Sequence, residues 1–226
     1  MARLFASLIP ILAIASLAAA AEPVRERIEW VDIWVTDADK DDLPRVLFIG
    51  DSITRGYFRD AEKPLEGKAY CARLATSKCV CDPSFDAEIL LLLKQYRFDV
   101  IHFNNGLHGW GYSESDYRNG LLEFLATVNK HAPDAKLIWT ATTPVRDSSD
   151  LKKFGELNGR VQARNRIAAE IMRQQDIPTD DLYELVADHP DWYTSDGVHF
   201  NEQGRAAQGA AAAASVVKRL AGSKSD

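Results

Sequence analysis

Two short polar blocks, far apart in the 226-residue chain, carry residue types that can transfer an acyl group when they meet. The first block, Gly50-Asp51-Ser52, follows the apolar run "VLFI". The second, in "SDGVHF", places Asp196 three residues before His199. A serine hydroxyl becomes a strong nucleophile when a base takes its proton and a third group orients that base. The residue types therefore predict a Ser-His-Asp triad.

Each block also has a simpler interpretation. Asp51 or Ser52 could cap a helix, because short polar side chains accept hydrogen bonds from the free N–H groups at a helix start. His199 could be an ordinary loop histidine. A helix beginning at Ser52 would favour the catalytic interpretation as well, since its positive end stabilises developing negative charge.

Short apolar runs alternate with longer amphipathic stretches from Arg45 onward. Buried strands are predicted at "RVLFIG", "YCARL", "DVIHFN" and "KLIWTAT", with a weaker fifth near "DLYELV". Helices are predicted over residues 53–66, 84–97, 113–132, 156–176 and 202–221. This alternation predicts a three-layer α/β/α sandwich around a parallel sheet. Sites in such sheets lie beyond the carboxyl ends of the strands, where Ser52 and residues 104–108 fall.

The blocks "FIGDSITRGY" and "SDGVHF" resemble those of the SGNH hydrolases, also called GDSL esterases and lipases. The resemblance spans residues 45–220. It implies a flavodoxin-like α/β fold with a central, mostly parallel five-stranded sheet. It also implies Ser52 as nucleophile, His199 as general base and then acid, and Asp196 as the carboxylate that orients His199.

The residues that would hold the oxyanion depart from this family's pattern. Its third block reads Gly-x-Asn-Asp after the third strand, whereas this chain has "HFNNGLHGW". His108 takes the asparagine position if the register follows the strand start, and a shift of one or two residues offers Asn104 or Asn105 instead. His108 and Asn104 are the leading candidates for the side-chain oxyanion donor. A second donor, a backbone N–H, is expected near Lys78.

The first 21 residues have the features of a secretory signal peptide: an early arginine, an apolar run and small residues at the end. Cleavage after Ala21 would give a secreted or periplasmic protein with no stable membrane anchor. Residues 22–44 are then a polar, irregular N-terminal extension, and residues 45–226 form the hydrolase domain.

Export also bears on the three cysteines, because thiols can pair outside the cytosol. Cys71 can pair with either Cys79 or Cys81, which leaves one thiol over. A bridge between Cys79 and Cys81 would close a very small, strained ring.

The net charge of −6 provides no broad basic surface for phosphates, so no nucleic-acid partner is predicted. The resemblance implies a small-molecule or polysaccharide ester as substrate, with removal of small acyl groups such as acetyl. No cofactor and no metal are expected. The sequence carries no signal of oligomeric state.

Two alternatives remain open at the level of sequence. A metal-dependent hydrolase could use the suitable ligand types at Asp51, His102, His108, Asp196 and His199, although no H-x-H, H-E-x-x-H or C-x-x-C spacing occurs. A secreted carbohydrate-binding module with a vestigial triad could use aromatic residues near the two blocks. Those residues are Trp110, Tyr112, Trp192 and Tyr193.

Overall fold

A six-stranded sheet forms the centre of the molecule. The computed structural model describes residues 23–222, so the predicted signal peptide at residues 1–21 lies outside the described residues. The strands in this range are β1 (Val31–Val35), β2 (Arg45–Gly50), β3 (Tyr70–Thr76), β4 (Val100–Phe103), β5 (Lys136–Thr140), β6 (Arg146–Asp147), β7 (Asp150–Phe154) and β8 (Thr179–Asp180). The sheet has the order β1-β3-β2-β4-β5-β8, and β6 pairs with β7 in a separate hairpin.

Helices cover both faces of this sheet. They are α1 (Ser52–Glu62), α2 (Phe85–Leu93), α3 (Glu114–His131), α4 (Asn158–Gln174), α5 (Leu182–Ala187) and α6 (Glu202–Ala221), with short 3-10 turns at Lys63–Leu65 and Pro190–Trp192. Helices α1, α5 and α6 supply one apolar cluster, and α2, α3 and most of α4 supply the other. The predicted α/β fold with a mostly parallel central sheet is confirmed. None of the helices within residues 23–222 is long and apolar enough to cross a membrane.

Strand β2 lies between β3 and β4 and runs parallel to both. Its side chains alternate between the two apolar clusters: Val46 and Phe48 enter one, and Leu47 and Ile49 enter the other. Burial on both faces explains why β2 reads as an unbroken apolar run. The chain passes from β2 to β3 on one side and then crosses back past β2 to β4 on the other. The carboxyl end of β2 is therefore the switch point where such folds form their sites.

Two details of the predicted strands are wrong. Residues 31–35, expected to be irregular, form the antiparallel edge strand β1 along β3. The segment "DLYELV" is not the fifth parallel strand. That strand is the two-residue β8, and Asp181 then caps α5 by accepting a hydrogen bond from the Glu184 N–H. Leu182 and Val186 are both buried and lie four residues apart, which is helical spacing.

All three cysteines are free thiols, so the suggested bridge from Cys71 is not formed. The sheet separates them: the Cys71 side chain lies in the cluster under α1 and α6, and Cys79 lies in the opposite one. Burial raises the pKa of the Cys71 thiol to about 12. Cys71 therefore behaves as a small apolar core residue.

Helices α1 and α6 approach closely because a glycine lies at their contact. A Cβ at Gly209 would lie 2.4 Å from the Asp60 Cβ and 2.6 Å from the Asp60 carbonyl carbon. Such distances leave no room for a side chain. Since α1 begins at Ser52 and α6 begins soon after His199, this contact fixes the separation of those two residues.

Replacement Gly209→Val is expected to force α6 away from α1 and to lower the free energy of unfolding. Overpacking of this kind typically costs about 1–3 kcal/mol. Urea denaturation measures the effect, with Ala210→Val as the matched control because Ala210 is exposed on the same helix. Equal unfolding midpoints for the two variants would contradict this account of the helix contact.

Candidate active site

The block Gly50-Asp51-Ser52 joins β2 directly to α1, and each residue has a different task there. A Cβ at Gly50 would lie 2.0 Å from the Thr54 Oγ1, so only glycine fits against the first turn of the helix. Asp51 is the N-cap, and its Oδ1 accepts a 2.8 Å hydrogen bond from the Ile53 N–H. The capping interpretation therefore holds for Asp51. Because Asp51 caps the helix, the Ser52 hydroxyl is available to another partner.

The second block forms a tight turn before α6. Gly197 has φ of 73°, and a Cβ there would lie 2.3 Å from the Arg146 carbonyl oxygen. The Arg146 N–H donates in turn to the Gly197 carbonyl. Asn201 then caps α6 by accepting from the Gly204 N–H. The turn is thus anchored on both sides of His199.

The carboxylate of Asp196 accepts four hydrogen bonds within this turn. Its Oδ1 accepts from the N–H groups of Val198 and His199 and from the Thr194 hydroxyl, and its Oδ2 accepts from His199 Nδ1 at 2.6 Å. Partial burial raises the pKa of Asp196, but the hydrogen bonds from His199, Val198 and Thr194 together hold it well below the usual range. Asp196 is therefore ionised wherever His199 can act as a base.

His199 connects this turn to the first block. Its Nε2 lies 2.8 Å from the Ser52 Oγ. Because Asp196 accepts the proton at Nδ1, the Nε2 of the neutral ring carries the lone pair and accepts the Ser52 O–H. That is the tautomer in which a histidine can take a proton from a serine. Asp196, His199 and Ser52 form one continuous hydrogen-bonded chain.

The two asparagines that follow β4 are tied into the scaffold. Asn104 donates both amide hydrogens, to the Thr140 carbonyl and to the Thr142 Oγ1. Asn105 bridges to the loop after β3, donating to the Lys78 carbonyl and accepting from the Val80 N–H. Because both amide hydrogens of Asn104 are donated within the scaffold, the geometry disfavours Asn104 as an oxyanion donor. Asn105 donates one amide hydrogen in this way.

His108 is held differently, by the N-terminal segment. Its Nδ1 lies 2.9 Å from one carboxylate oxygen of Glu26, and the other oxygen accepts the Gly109 N–H at 2.9 Å. The Trp30 ring meets the imidazole edge-on, with centroids 6.3 Å apart. No local pattern in the sequence indicates Glu26, because it lies 82 residues from its partner.

A buried arginine fixes the loop that carries His108. Arg164, in α4, is fully buried and donates to the carbonyls of Gly106, His108 and Gly109. Its guanidinium also lies over the Trp110 ring, 4.6 Å from the centroid. Three charge-assisted hydrogen bonds offset part of the cost of burying this cation. The sequence does contain a pattern that indicates a buried arginine. Arg164 occupies a position on α4 whose neighbours along the buried face are apolar.

The aromatic residues near the two blocks have internal partners. Trp110 lies under Arg164, and the Tyr112 hydroxyl accepts from the Val24 N–H. Trp192 stacks on His189 with centroids 3.7 Å apart, and the Tyr193 hydroxyl donates to the Pro144 carbonyl. These contacts favour a role in packing.

The five side chains suggested as metal ligands do not form a cluster. His102 is fully buried in β4, where it contacts Asp180 and Thr140. Within residues 23–222, no group of three or more His, Cys, Asp or Glu side chains is arranged to hold a metal ion. The geometry therefore does not favour the metal-dependent alternative.

A small open cleft of about 210 Å³ lies beside the Ser52 and His199 side chains. The rest of its wall comes from α1, Phe200 and the start of α6, with Ile53, Arg55, Gly56 and Arg205. The His199 side chain is 47% exposed, so a reactant can reach it from solvent.

Solved esterase structures share this fold. The aryl esterase of M. smegmatis is 16% identical, with a TM-score of 0.64 and coverage of 78% of this chain and 100% of that one. A carbohydrate acetylesterase family member from Sinorhizobium meliloti is 18% identical, with a TM-score of 0.63 and coverage of 79% and 100%. A carbohydrate esterase family 3 protein from Talaromyces cellulolyticus is 16% identical, with a TM-score of 0.60 and coverage of 79% and 99%. At these identities the similarity shows a common fold.

The sequence itself defines the family. The profile of the GDSL-like lipase/acylhydrolase family matches residues 48–207, a range that holds both polar blocks. The chain therefore belongs to this family, whose members hydrolyse carboxylic esters, and the resemblance noted in the sequence is confirmed. No curated protein gives a match to the sequence.

Asp51 combines its capping role with an unsatisfied charge. The Oδ2 is buried and has no hydrogen-bond partner among the described residues. Burial raises the pKa of this carboxyl, against the opposing effects of His108, the Ile53 N–H and His199. The folded protein thus binds more protons at Asp51 than the unfolded chain does between the ordinary carboxyl pKa and the raised one. Its contribution to stability falls as the pH rises through that window.

Replacement Asp51→Asn removes this titration and keeps an oxygen to cap α1. We expect the free energy of unfolding of Asp51→Asn, relative to wild type, to increase as the pH rises from about 4 toward neutrality. Urea denaturation across that range checks the trend, with the exposed Asp191→Asn as control. Parallel stability curves for wild type and Asp51→Asn would show that the buried carboxyl has no such effect.

Proposed function

We propose that the protein is an exported serine ester hydrolase that removes small acyl groups, acetyl above all, from carbohydrate or similar esters. The observation that carries the proposal is the hydrogen-bonded chain from Asp196 through His199 to Ser52. Family membership supports ester hydrolysis as the reaction.

The proposed reaction has two halves. His199 Nε2 takes the Ser52 proton as Oγ attacks the ester carbonyl, and Asp196 stabilises the imidazolium that forms. His199 then gives that proton to the departing alcohol, which leaves an acyl group on Ser52. In the second half, a water molecule loses its proton to His199 and attacks the acyl-enzyme, which releases the acid and restores the serine.

Three donors are proposed for the tetrahedral oxyanion. The backbone N–H of Ser52 lies at the start of α1, where the helix dipole is positive. A second backbone N–H comes from the loop after β3, near Lys78, which Asn105 joins to the His108 loop. The third is His108, because both amide hydrogens of Asn104 are already donated elsewhere.

The contact with Glu26 determines the form in which His108 can donate. A carboxylate only accepts, so the Nδ1 of His108 must carry a proton. The neutral ring would then leave Nε2 without a hydrogen, and only the imidazolium can donate from Nε2. We propose that Glu26 stabilises this cation beside the developing oxyanion. Arg164 and the Gly109 contact keep the loop in place before substrate arrives.

Several observations support a small acyl group and a larger alcohol portion. The exposed His199 leaves space on the solvent side for a larger alcohol, such as a sugar chain. Two structures with the same fold are named as carbohydrate esterases, and the predicted signal peptide agrees with a substrate outside the cell.

Replacing either Ser52 or His199 by alanine is expected to lower kcat by several orders of magnitude, because triad residues act as a unit. Initial rates on a panel of chromogenic esters and acetylated sugars measure this loss. Circular dichroism confirms that each variant is folded. Near-normal hydrolysis by purified Ser52→Ala protein would refute the proposal.

The variant His108→Ala is expected to lower kcat about 100-fold with little change in KM, as loss of one oxyanion donor does. Glu26→Gln should also lower kcat. The variant His108→Gln supplies a neutral amide donor, which does not need the Glu26 carboxylate. Glu26→Gln should therefore lower kcat less in the His108→Gln protein than in wild type. A double-mutant cycle measures this coupling. The control is Asp39→Asn, an exposed acid of the same N-terminal extension. Additive effects of the two substitutions would contradict a shared role.

A further inference from the structure

Two arginines border the cleft beside Ser52. Arg55 lies on α1, three residues after Ser52, and Arg205 lies near the start of α6, six residues after His199. Both line the same small cleft as the Ser52 and His199 side chains. Any ester that reaches the nucleophile therefore comes close to two cationic side chains.

Neither guanidinium has a carboxylate partner among residues 23–222. The Arg55 guanidinium lies over the Trp30 ring, 4.7 Å from its centroid. Arg205 donates from Nη1 to the Phe200 carbonyl at 3.2 Å. These contacts hold each side chain in place but neutralise neither charge. Two guanidinium groups without an ionic partner thus border the cleft of a chain whose net charge is −6.

The next turn of the same helix offers a direct comparison. Arg59 also lies over a tryptophan, Trp34, at 4.9 Å from the ring centroid. Unlike Arg55, it forms an ion pair, with Glu62. The two arginines thus have similar stacking contacts, and the one beside the nucleophile lacks the counter-charge.

The position of the cleft indicates which part of the ester it receives. Its walls come from α1, the His199 segment and α6, without residues of the loops after β3 and β4, where two of the three proposed oxyanion donors lie. His199 must give its proton to the departing alcohol, so the alcohol portion lies on the His199 side. Arg205, anchored to the carbonyl of the residue after His199, lies on that side as well.

We infer that the alcohol portion of the substrate carries a carboxylate, as an acidic sugar does, and that Arg55 and Arg205 bind it. Guanidinium groups match carboxylates in geometry and form strong charge-assisted hydrogen bonds with them. This inference rests on the proposed esterase function and adds the charge of the substrate to it.

The test compares two acetyl esters that differ in one charge: 4-acetoxybenzoate, which is anionic, and its neutral methyl ester. The quantity of interest is the ratio of kcat/KM for the anionic ester to that for the neutral one. Replacing Arg55 or Arg205 by Gln should lower this ratio about tenfold each, the usual size of one hydrogen bond to a charged group. Added salt should lower the wild-type ratio as well, because the interaction is ionic.

Matched variants separate charge from structure. Arg59→Gln, on the same helix, should leave the ratio at its wild-type value, and Arg205→Lys should retain more of the preference than Arg205→Gln. Calorimetric titration of the Ser52→Ala protein with the two esters measures the same preference without turnover, and the anionic ester should bind more tightly. A ratio that is unchanged in Arg55→Gln and Arg205→Gln, with no preference in the titration, would overturn the inference. If Ser52→Ala still abolishes hydrolysis when the charge preference is absent, the esterase proposal stands and only the inference about the substrate's charge fails.

Discussion

The hydrogen bond between Ser52 Oγ and His199 Nε2 joins residues that are 147 positions apart, and much of the architecture serves to hold it at 2.8 Å. Strand β2 delivers Ser52 at the centre of the sheet, where Gly50 lets the chain turn straight into α1. The close contact of α1 with α6 at Gly209 brings the His199 segment alongside. A fold that loosened this contact would separate the two side chains without altering either one.

A second constraint acts on the loops beyond β3 and β4. Buried Arg164 binds three carbonyls of the His108 loop, and Asn105 ties that loop to the one after β3. The N-terminal segment closes the arrangement through Glu26. Dipoles and donors fixed in advance stabilise a developing charge without reorganising during the reaction. In the proposed mechanism, edge strand β1 therefore supports the site as well as the fold, because it joins this segment to the sheet.

Local patterns explain what the sequence could predict. The run through β2 is apolar because both of its faces are buried. The buried positions of α3 and α6 repeat at helical spacing. These patterns are sufficient to predict the layers of the fold. Ser52, Asp196 and His199 are candidates from the sequence because each lies in a compact block, and the structure joins their side chains by hydrogen bonds. Strand β8 was missed because two residues carry no periodicity. Glu26 was missed because its importance comes from a loop 82 residues away, whose shape no local pattern encodes.

The central claim is that His199 activates Ser52 for attack on an electrophile. The most direct measurement is peptide mass spectrometry after treating the folded protein with a fluorophosphonate, which forms a stable adduct with an activated serine. The account predicts one adduct, on the peptide that contains Ser52, which is absent from protein unfolded in urea and strongly reduced in His199→Ala. An unlabelled Ser52 in the folded protein, or equal labelling of folded and unfolded chains, would contradict it.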